Sequence, residues 1–237
     1  MSDRLPLVLL PGLLCDYDLW ASVLDGLSER ADMTVADLTR DDSVGAMAAR
    51  VLDEVMAPRF ALAGLSMGGY VAQEIMRQAP DRVIGLALLD TSARADTEEQ
   101  KARRRALIDV ASRGRFKGVT PRLLPVLIHE DRLTDDALTG RIMAMAERVG
   151  HPAFLRQQEA IMARPDGRAD LARIACPTLV VCGREDALTP LPLAEEMAAA
   201  IPGAELRVIE DCGHLPPMER PAEAVAAMAG WLDRLTV

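Results

Sequence analysis

The chain has 237 residues, of which 50% are hydrophobic and 3% aromatic, which suits one α/β domain with a small insertion. Its formal net charge of -9 argues against a nucleic-acid-binding protein, which needs a positive surface. No stretch reaches the roughly 18 uninterrupted apolar residues of a membrane span, and the first residues lack the pattern of a secretory signal. We therefore expect a cytoplasmic protein, not bound to membranes, whose four cysteines are reduced.

The first part of the chain alternates short apolar runs with helix-length segments. The apolar runs predict β-strands at 5–10, 33–38, 59–63 and 82–89. The segments between them include predicted helices at 43–56 and 70–79. This alternation is typical of a doubly wound, mostly parallel sheet with helices on both faces. We expect the ligand site beyond the carboxyl ends of the strands.

The pattern changes after residue 92. The following segment has helical periodicity and no clear strand, which predicts helices at 97–112, 121–129, 135–149 and 153–163. The sheet resumes with strands at 176–182 and 205–210, and a helix at 221–235 closes the chain. We interpret 93–165 as a helical lid inserted into a core that is formed by 1–92 and 166–237.

The pattern Gly-x-Ser-x-Gly at 64–68 lies between a predicted strand and a predicted helix. This is the nucleophile-elbow pattern, in which a sharp turn exposes the serine above the sheet. The glycines allow the strand and helix backbones to approach each other. We therefore predict that Ser66 is a nucleophile and that the N–H of Met67, at the start of the helix, stabilises an oxyanion.

A serine hydroxyl needs a base to become a good nucleophile, and the chain has three histidines. His129 and His151 fall in the predicted lid, where we expect surface or helix-end positions. His214 follows the last predicted strand, so its loop lies at the same sheet edge as Ser66. His214 is therefore the predicted general base.

The base in turn needs a carboxylate that fixes its tautomer. Asp186 lies in the loop after the strand at 176–182, next to the predicted position of the His214 loop, and is the favoured residue. Glu185 is one residue away and would point elsewhere. Asp90 is the alternative, because it ends the strand beside the nucleophile turn.

The order of Ser66, Asp186 and His214, together with their positions after strands, resembles the α/β-hydrolase fold family. Within it the chain is similar to compact, capped serine esterases such as carboxyl methyl esterases and to cofactor-free haloperoxidase-type hydrolases. The resemblance implies hydrolysis through an acyl-enzyme, without a cofactor or metal. It also implies that the second oxyanion donor is the N–H of Leu13. Many members carry His-Gly where this chain has Pro11-Gly12, and the proline removes a side chain that often orders this loop.

Apolar residues near these motifs predict the substrate pocket. Its predicted walls are Leu14, Leu65 and Leu188 beside the motifs, and Met143 and Phe154 from the lid. We expect a modest, mainly apolar ester, although packing within the lid accounts for many lid residues equally well. The same triad also serves lactone hydrolysis and carbon–carbon bond cleavage, and a ligand-binding receptor with vestigial turnover is a further alternative.

One basic stretch stands out in this acidic chain. It contains Lys101, Arg103, Arg104 and Arg105. Such a stretch could dock an acidic carrier protein or an anionic substrate tail, whereas the alternative is a solvated helix face.

Overall fold

The computed structural model describes residues 4–235, apart from the side chain of Arg115, so the ends of the predicted core at 1–3 and 236–237 lie outside it. Six strands form one sheet in the order β2-β1-β3-β4-β5-β6, and every neighbouring pair is parallel. The strands are β1 Leu5–Leu10, β2 Ala31–Val35, β3 Phe60–Leu65, β4 Val83–Leu89, β5 Thr178–Gly183 and β6 Glu205–Ile209. The predicted α/β class with a parallel sheet is confirmed.

Helices cover both faces of this sheet. The helices are α1 Ala21–Gly26, α2 Val44–Glu54, α3 Met67–Gln78, α4 Glu98–Val110, α5 Leu124–Leu127, α6 Asp136–Ala163, α7 Leu191–Ala200, α8 Pro216–Glu219 and α9 Pro221–Leu232. On one face Leu7 and Leu9 of β1 belong to the same apolar cluster as Trp231 of α9. On the other face Val8 of β1 belongs to a cluster with Val71 of α3. The central strands are therefore apolar on both sides, as buried parallel strands must be.

Between β4 and β5 the described residues form helices and turns and no strand. A capping box at Thr97 starts α4. The run α6 is kinked at Gly150, which has a φ of 76°, and Pro152 follows it. The kink lies where the sequence predicted a break between two helices. Treating 93–165 as a lid separate from the core remains a prediction.

Several predicted elements have different bounds in the structure, and two of these differences have a local explanation. The second strand ends at Val35 and not at residue 38, because the carboxylate of Asp37 accepts hydrogen bonds from Thr39 N and Oγ1 (2.9 and 2.6 Å) and turns the chain. The helix predicted at 121–129 is reduced to Leu124–Leu127, since Ile128 has an extended backbone. Among residues 4–235 no helix has both the length and the apolar character needed to cross a membrane.

Candidate active site

Ser66 lies in the sharp turn between β3 and α3, in a backbone conformation that L-residues rarely adopt. Its φ is 53° and its ψ is -114°, and such a conformation costs about 1–3 kcal/mol and persists only where the surroundings enforce it. Ser66 N donates to Leu89 O of the neighbouring strand at 3.0 Å. Ser66 O accepts from Gly69 N at 2.9 Å and from Thr91 Oγ1 at 2.8 Å. Strand and helix together thus hold the strained serine in place.

Two glycines make this turn possible. A Cβ atom at position 64 would lie 2.8 Å from Gly69 N and closer still to the carbonyl of Gly68. A Cβ atom at position 68 would lie 2.9 Å from Pro11 O and closer still to the carbonyl of Leu10. A side chain at either position would therefore collide with backbone, which is the steric reason for the Gly-x-Ser-x-Gly spacing.

The loop after β1 forms a tight turn beside Ser66. A Cβ atom on Gly12 would lie 3.4 Å from Ser66 Cβ, so the two backbones are close. Cys15 N donates to Gly12 O at 3.1 Å and closes a four-residue turn. Leu14, the third residue of the turn, has a φ of 59°, as in a type II turn.

Two backbone N–H groups of these turns are without partners. The amides of Leu13 and Met67 donate no hydrogen bond within residues 4–235, and that of Met67 lies at the positive end of α3. Leu14 N, in contrast, donates to Gln157 Oε1 of α6 at 3.1 Å, and Gln157 Nε2 donates to Leu38 O at 3.1 Å. The turn after β1 is thus tied to the segment between β4 and β5.

Asp186 lies in the loop after β5, where its carboxylate takes part in four hydrogen bonds. Oδ1 accepts from Leu188 N at 2.8 Å and from Thr189 N at 3.0 Å. Oδ2 accepts from Thr189 Oγ1 at 2.6 Å and lies 2.8 Å from His214 Nδ1. Burial raises the pKa of Asp186, but the charge and hydrogen bond of His214, and then the bonds from Thr189, outweigh it and hold the pKa below its ordinary value. Because a carboxylate only accepts, Nδ1 carries the proton and Nε2 of His214 is the basic nitrogen.

A buried glutamate fixes the loop that carries His214 after β6. Glu219, which is 0% exposed, accepts from Gly213 N at 3.0 Å and from Leu215 N at 2.9 Å, on either side of His214. Burial raises the pKa of Glu219 despite these bonds. His214 N itself donates to Leu127 O at 2.9 Å. Both the ring and the backbone of the histidine are therefore held by protein groups.

Asp90, the alternative acid, ends β4 and makes no hydrogen bond to His214 among the described residues. Its Oδ1 accepts from Gly183 N at 2.8 Å, whereas its buried Oδ2 has no partner within residues 4–235. Burial and then the charge of Asp186 raise the pKa of Asp90 well above its ordinary value. A carboxylate oxygen of Asp90 also lies within 4.8 Å of one of Asp186 and of Cys182 Sγ. Burial of an oxygen without a partner in this part of the chain thus favours the protonated form of Asp90.

Asp90, Cys182 and Asp186 have the chemistry of metal ligands, but they do not fit a metal site. Ligands must be deprotonated to bind a metal. Burial raises the pKa of the Cys182 thiol as well as that of Asp90. The oxygens of Asp186 are already occupied by hydrogen bonds. The donor set therefore does not suit a metal ion.

The structure brings together two of the five predicted pocket residues. Leu14 and Phe154 belong to one apolar cluster. Leu65 is 1% exposed and belongs to the large cluster on one face of the sheet. Met143 is half-buried, and Leu188 exposes 46% of its surface. That these five residues line a substrate pocket remains a prediction.

Three of the four residues of the basic stretch form ion pairs within the chain. The pairs are Lys101–Glu98, Arg103–Glu99 and Arg104–Asp96. The carboxylate of Asp96 is buried, so its pair with Arg104 is a contact of the interior. The stretch therefore offers a partner less free positive charge than its sequence suggests.

A buried ion pair joins the two ends of the segment between β4 and β5. Arg164 Nη1 lies 2.7 Å from Asp96 Oδ1, and their side chains are 6% and 1% exposed. The guanidinium of Arg164 also lies 4.0 Å from the centre of the Tyr70 ring on α3. These contacts connect both ends of the segment to the helix that follows Ser66.

Sequence reasoning missed three residues that hold the site: Gln157, Thr189 and Glu219. Thr189 had a local signal, because it follows Asp186 by the spacing at which a carboxylate caps a turn. Gln157 had no such signal, since its partner Leu14 is 143 residues away.

The chain matches the model of the Alpha/beta hydrolase family over residues 7–228. It therefore belongs to the α/β-hydrolase family and is an enzyme of the hydrolase class, in agreement with its sheet order and with the sharp turn at Ser66.

Individual relatives cover most of the chain. It is 28% identical over 241 residues to a pimeloyl-[acyl-carrier protein] methyl ester esterase of Chromobacterium violaceum, covering 95% of this chain and 93% of that protein. It is 30% identical over 199 residues to the protein of the same name from Neisseria meningitidis serogroup B, covering 81% and 76%. The solved structure of a thermophilic esterase from Thermogutta terrifontis has a TM-score of 0.87 at 30% identity, covering 99% of this chain and 91% of that one.

Proposed function

We propose that the protein is a serine hydrolase that cleaves a carboxylic ester through an acyl-enzyme. Ser66 is the nucleophile, His214 the general base and Asp186 the acid that orients it. The observation that carries the proposal is the 2.8 Å contact between His214 Nδ1 and Asp186 Oδ2, at the sheet edge where β3 ends in the strained Ser66. The esterase activity named for the relatives supports it.

In this reaction Ser66 Oγ attacks the carbonyl carbon of the ester, and His214 Nε2 takes the hydroxyl proton. The carbonyl electron pair moves to the oxygen, giving a tetrahedral oxyanion. The intermediate collapses, the bond to the alkoxy oxygen breaks, and His214 returns the proton to the leaving alcohol. Water then attacks the acyl-serine with His214 as base, and release of the acid restores Ser66. Asp186 stays ionised throughout and stabilises the imidazolium.

The oxyanion is stabilised by the N–H groups of Leu13 and Met67. Neither N–H has a partner within residues 4–235, so neither must break a protein hydrogen bond to act. Loss of one such donor typically lowers turnover by about 10²–10³.

The substrate is a modest ester with a mainly apolar acyl group. Leu14, next to the oxyanion donor Leu13, clusters with Phe154. The ring of Phe116 lies 5.2 Å from that of Phe154, centre to centre. These side chains offer an acyl chain apolar contacts beside the reacting carbonyl.

Turnover of p-nitrophenyl esters of graded acyl length, beside labelling with a fluorophosphonate, tests the proposal. We expect hydrolysis and one label per chain, at Ser66, in the wild type. Ser66→Ala should not be labelled, and its turnover should fall by a factor of order 10⁶. A folded wild type without turnover or label would contradict the proposal and favour a ligand-binding role.

The relatives act on esters linked to acyl-carrier protein, as their names state, which raises the question of a carrier for this chain. We propose that the basic stretch on α4 does not select the substrate, since three of its four cations have partners in the chain. Equal kcat/KM on free and carrier-linked esters at low and high salt is the expected result. A preference for carrier-linked esters that salt abolishes would contradict it, because exposed charge pairs are screened.

A further inference from the structure

We infer that Gln157 is a positioning residue for oxyanion stabilisation: from α6 it holds the turn at residues 12–15 in the conformation that presents the Leu13 N–H. The inference rests on the proposed function, because it assumes that the Leu13 N–H stabilises the oxyanion.

Both ends of the Gln157 side-chain amide have defined partners. The side chain is 0% exposed, Oε1 accepts from Leu14 N, and Nε2 donates to Leu38 O, each at 3.1 Å. Rotating the amide by half a turn would place NH₂ against an N–H and oxygen against a carbonyl. Since both contacts are buried, neither can be replaced by bulk water, and the amide has one favourable orientation.

The contact with Leu14 selects one form of the turn. Leu14 has a φ of 59°, which leucine avoids when nothing enforces it. In the alternative type I turn the peptide between Leu13 and Leu14 is flipped and the third residue has a negative φ. That flip would turn Leu14 N away from Gln157 Oε1. The hydrogen bond therefore favours the form with the left-handed leucine.

The position of the Leu13 N–H depends on where the closed turn is anchored, because type I and type II turns share the orientation of the peptide between Gly12 and Leu13. Gly12 O and Leu13 N–H belong to one planar peptide group and point in opposite directions. Gly12 O is held by Cys15 N at 3.1 Å, a bond that exists only while the turn is closed. By bonding Leu14 N, next to Leu13, Gln157 anchors the closed turn to α6 and thereby fixes the position of the peptide that carries the oxyanion donor.

The hydrogen bond between Gln157 and Leu14 also bears on the proline at position 11, where many family members carry histidine. Proline has no polar side chain that could order the loop after β1. The loop is ordered instead from α6, which is distant in sequence, through a glutamine side chain.

The test compares Gln157→Leu with Gln158→Leu. Gln158 is a matched control, because it is adjacent, 1% exposed, and accepts from Arg104 Nη1 at 2.9 Å, and within residues 4–235 it makes no hydrogen bond to the turn. The measurements are kcat and KM for a p-nitrophenyl ester and the inhibition constant of a trifluoromethyl ketone, which forms a tetrahedral oxyanion adduct with serine. We expect Gln157→Leu to lower kcat and to weaken the inhibitor by the same factor, about 10- to 100-fold, with KM nearly unchanged. Gln158→Leu should leave all three unchanged.

If Gln157 had only a structural role, Gln157→Leu would lower the melting temperature but would not lower kcat and weaken the inhibitor by the same factor. Unchanged kcat and inhibition in folded Gln157→Leu, or a rise in KM alone, would overturn the inference. If Gln157→Leu does not fold, Gln157→Asn decides by the same measurements, because its shorter side chain cannot reach both partners. A wild type that neither turns over esters nor labels at Ser66 would overturn the proposed function together with this inference, whereas an active wild type with an unaffected variant overturns the inference alone.

Discussion

Nδ1 of His214 lies 2.8 Å from Oδ2 of Asp186, and both side chains are almost completely buried. The second carboxyl near this pair, that of Asp90, accepts from Gly183 N instead. Two acids at the same edge of the sheet thus have different environments. Asp186 is stabilised as an anion, whereas burial favours the neutral form of Asp90.

Asparagine substitutions should separate these two acids. Asp186→Asn removes the acceptor of the His214 Nδ1 proton and is expected to lower kcat about 10⁴-fold. Asp90→Asn replaces a carboxyl group whose burial favours its neutral form by a neutral amide, so kcat should stay close to that of the wild type. Steady-state kinetics on one ester, with circular dichroism as a check of folding, gives the comparison. Equal losses in the two variants would show that Asp90 acts as an anion.

Asp90→Asn should also change how stability depends on pH. Because the folded-state pKa of Asp90 is raised, the folded chain binds more protons than the unfolded chain above the unfolded pKa of about 3.9. Stability contributed by Asp90 therefore falls as pH rises through this window. Asp90→Asn should be more stable than the wild type at pH 7, and this gain should disappear below about pH 4. Urea unfolding at several pH values measures it, and a gain that does not vary with pH would contradict a protonated Asp90.

Glu219→Gln should weaken the loop that carries His214. Both carboxylate oxygens accept from backbone N–H groups, so an amide must place NH₂ against one of them. The expected loss is about 1–3 kcal/mol of unfolding free energy, with a lower kcat. The exposed Glu223 on α9 provides the control, and Glu223→Gln should change neither quantity. A Glu219→Gln variant with wild-type stability and kcat would show that the loop does not need these bonds.

The buried ion pair of Asp96 should contribute far more to stability than the exposed pairs of α4. Asp96→Ala leaves Arg164 buried without its carboxylate, which should cost about 3–5 kcal/mol. Glu99→Ala breaks an exposed pair with Arg103 and should cost about 0–1 kcal/mol. Urea unfolding of both variants gives the difference. Equal effects would mean that the inserted segment is held by apolar packing and not by this pair.

The parallel sheet and the turn at Ser66 could be predicted from the sequence because their signals are local. Apolar runs mark the central strands, and glycines at 64 and 68 mark a turn that excludes side chains. The predicted first and last residues of helices and strands are less accurate where the local sequence pattern is weak. The helix after Ser66 begins at Met67 and not at residue 70, because two glycines in its first turn conceal the helical pattern.

The support of the site could not be predicted, because it depends on contacts between distant residues. Nothing near Gln157 indicates that it bonds the turn after β1, and nothing near Asp96 indicates a buried pair with Arg164. The positions of Asp186 and His214 after successive strands predicted their meeting. The residues that hold them, Thr189 and Glu219, became visible only in three dimensions.

The inferred role of Gln157, which belongs to α6 and bonds the loop after β1, implies that substrate choice and reaction rate cannot be changed independently in this enzyme. On this inference, a chimaera that exchanges residues 97–164 with those of a relative is expected to alter the turnover of every ester and not only the preference among esters. Combinatorial libraries aimed at selectivity should hold position 157 constant and diversify Met143 and Phe154 instead.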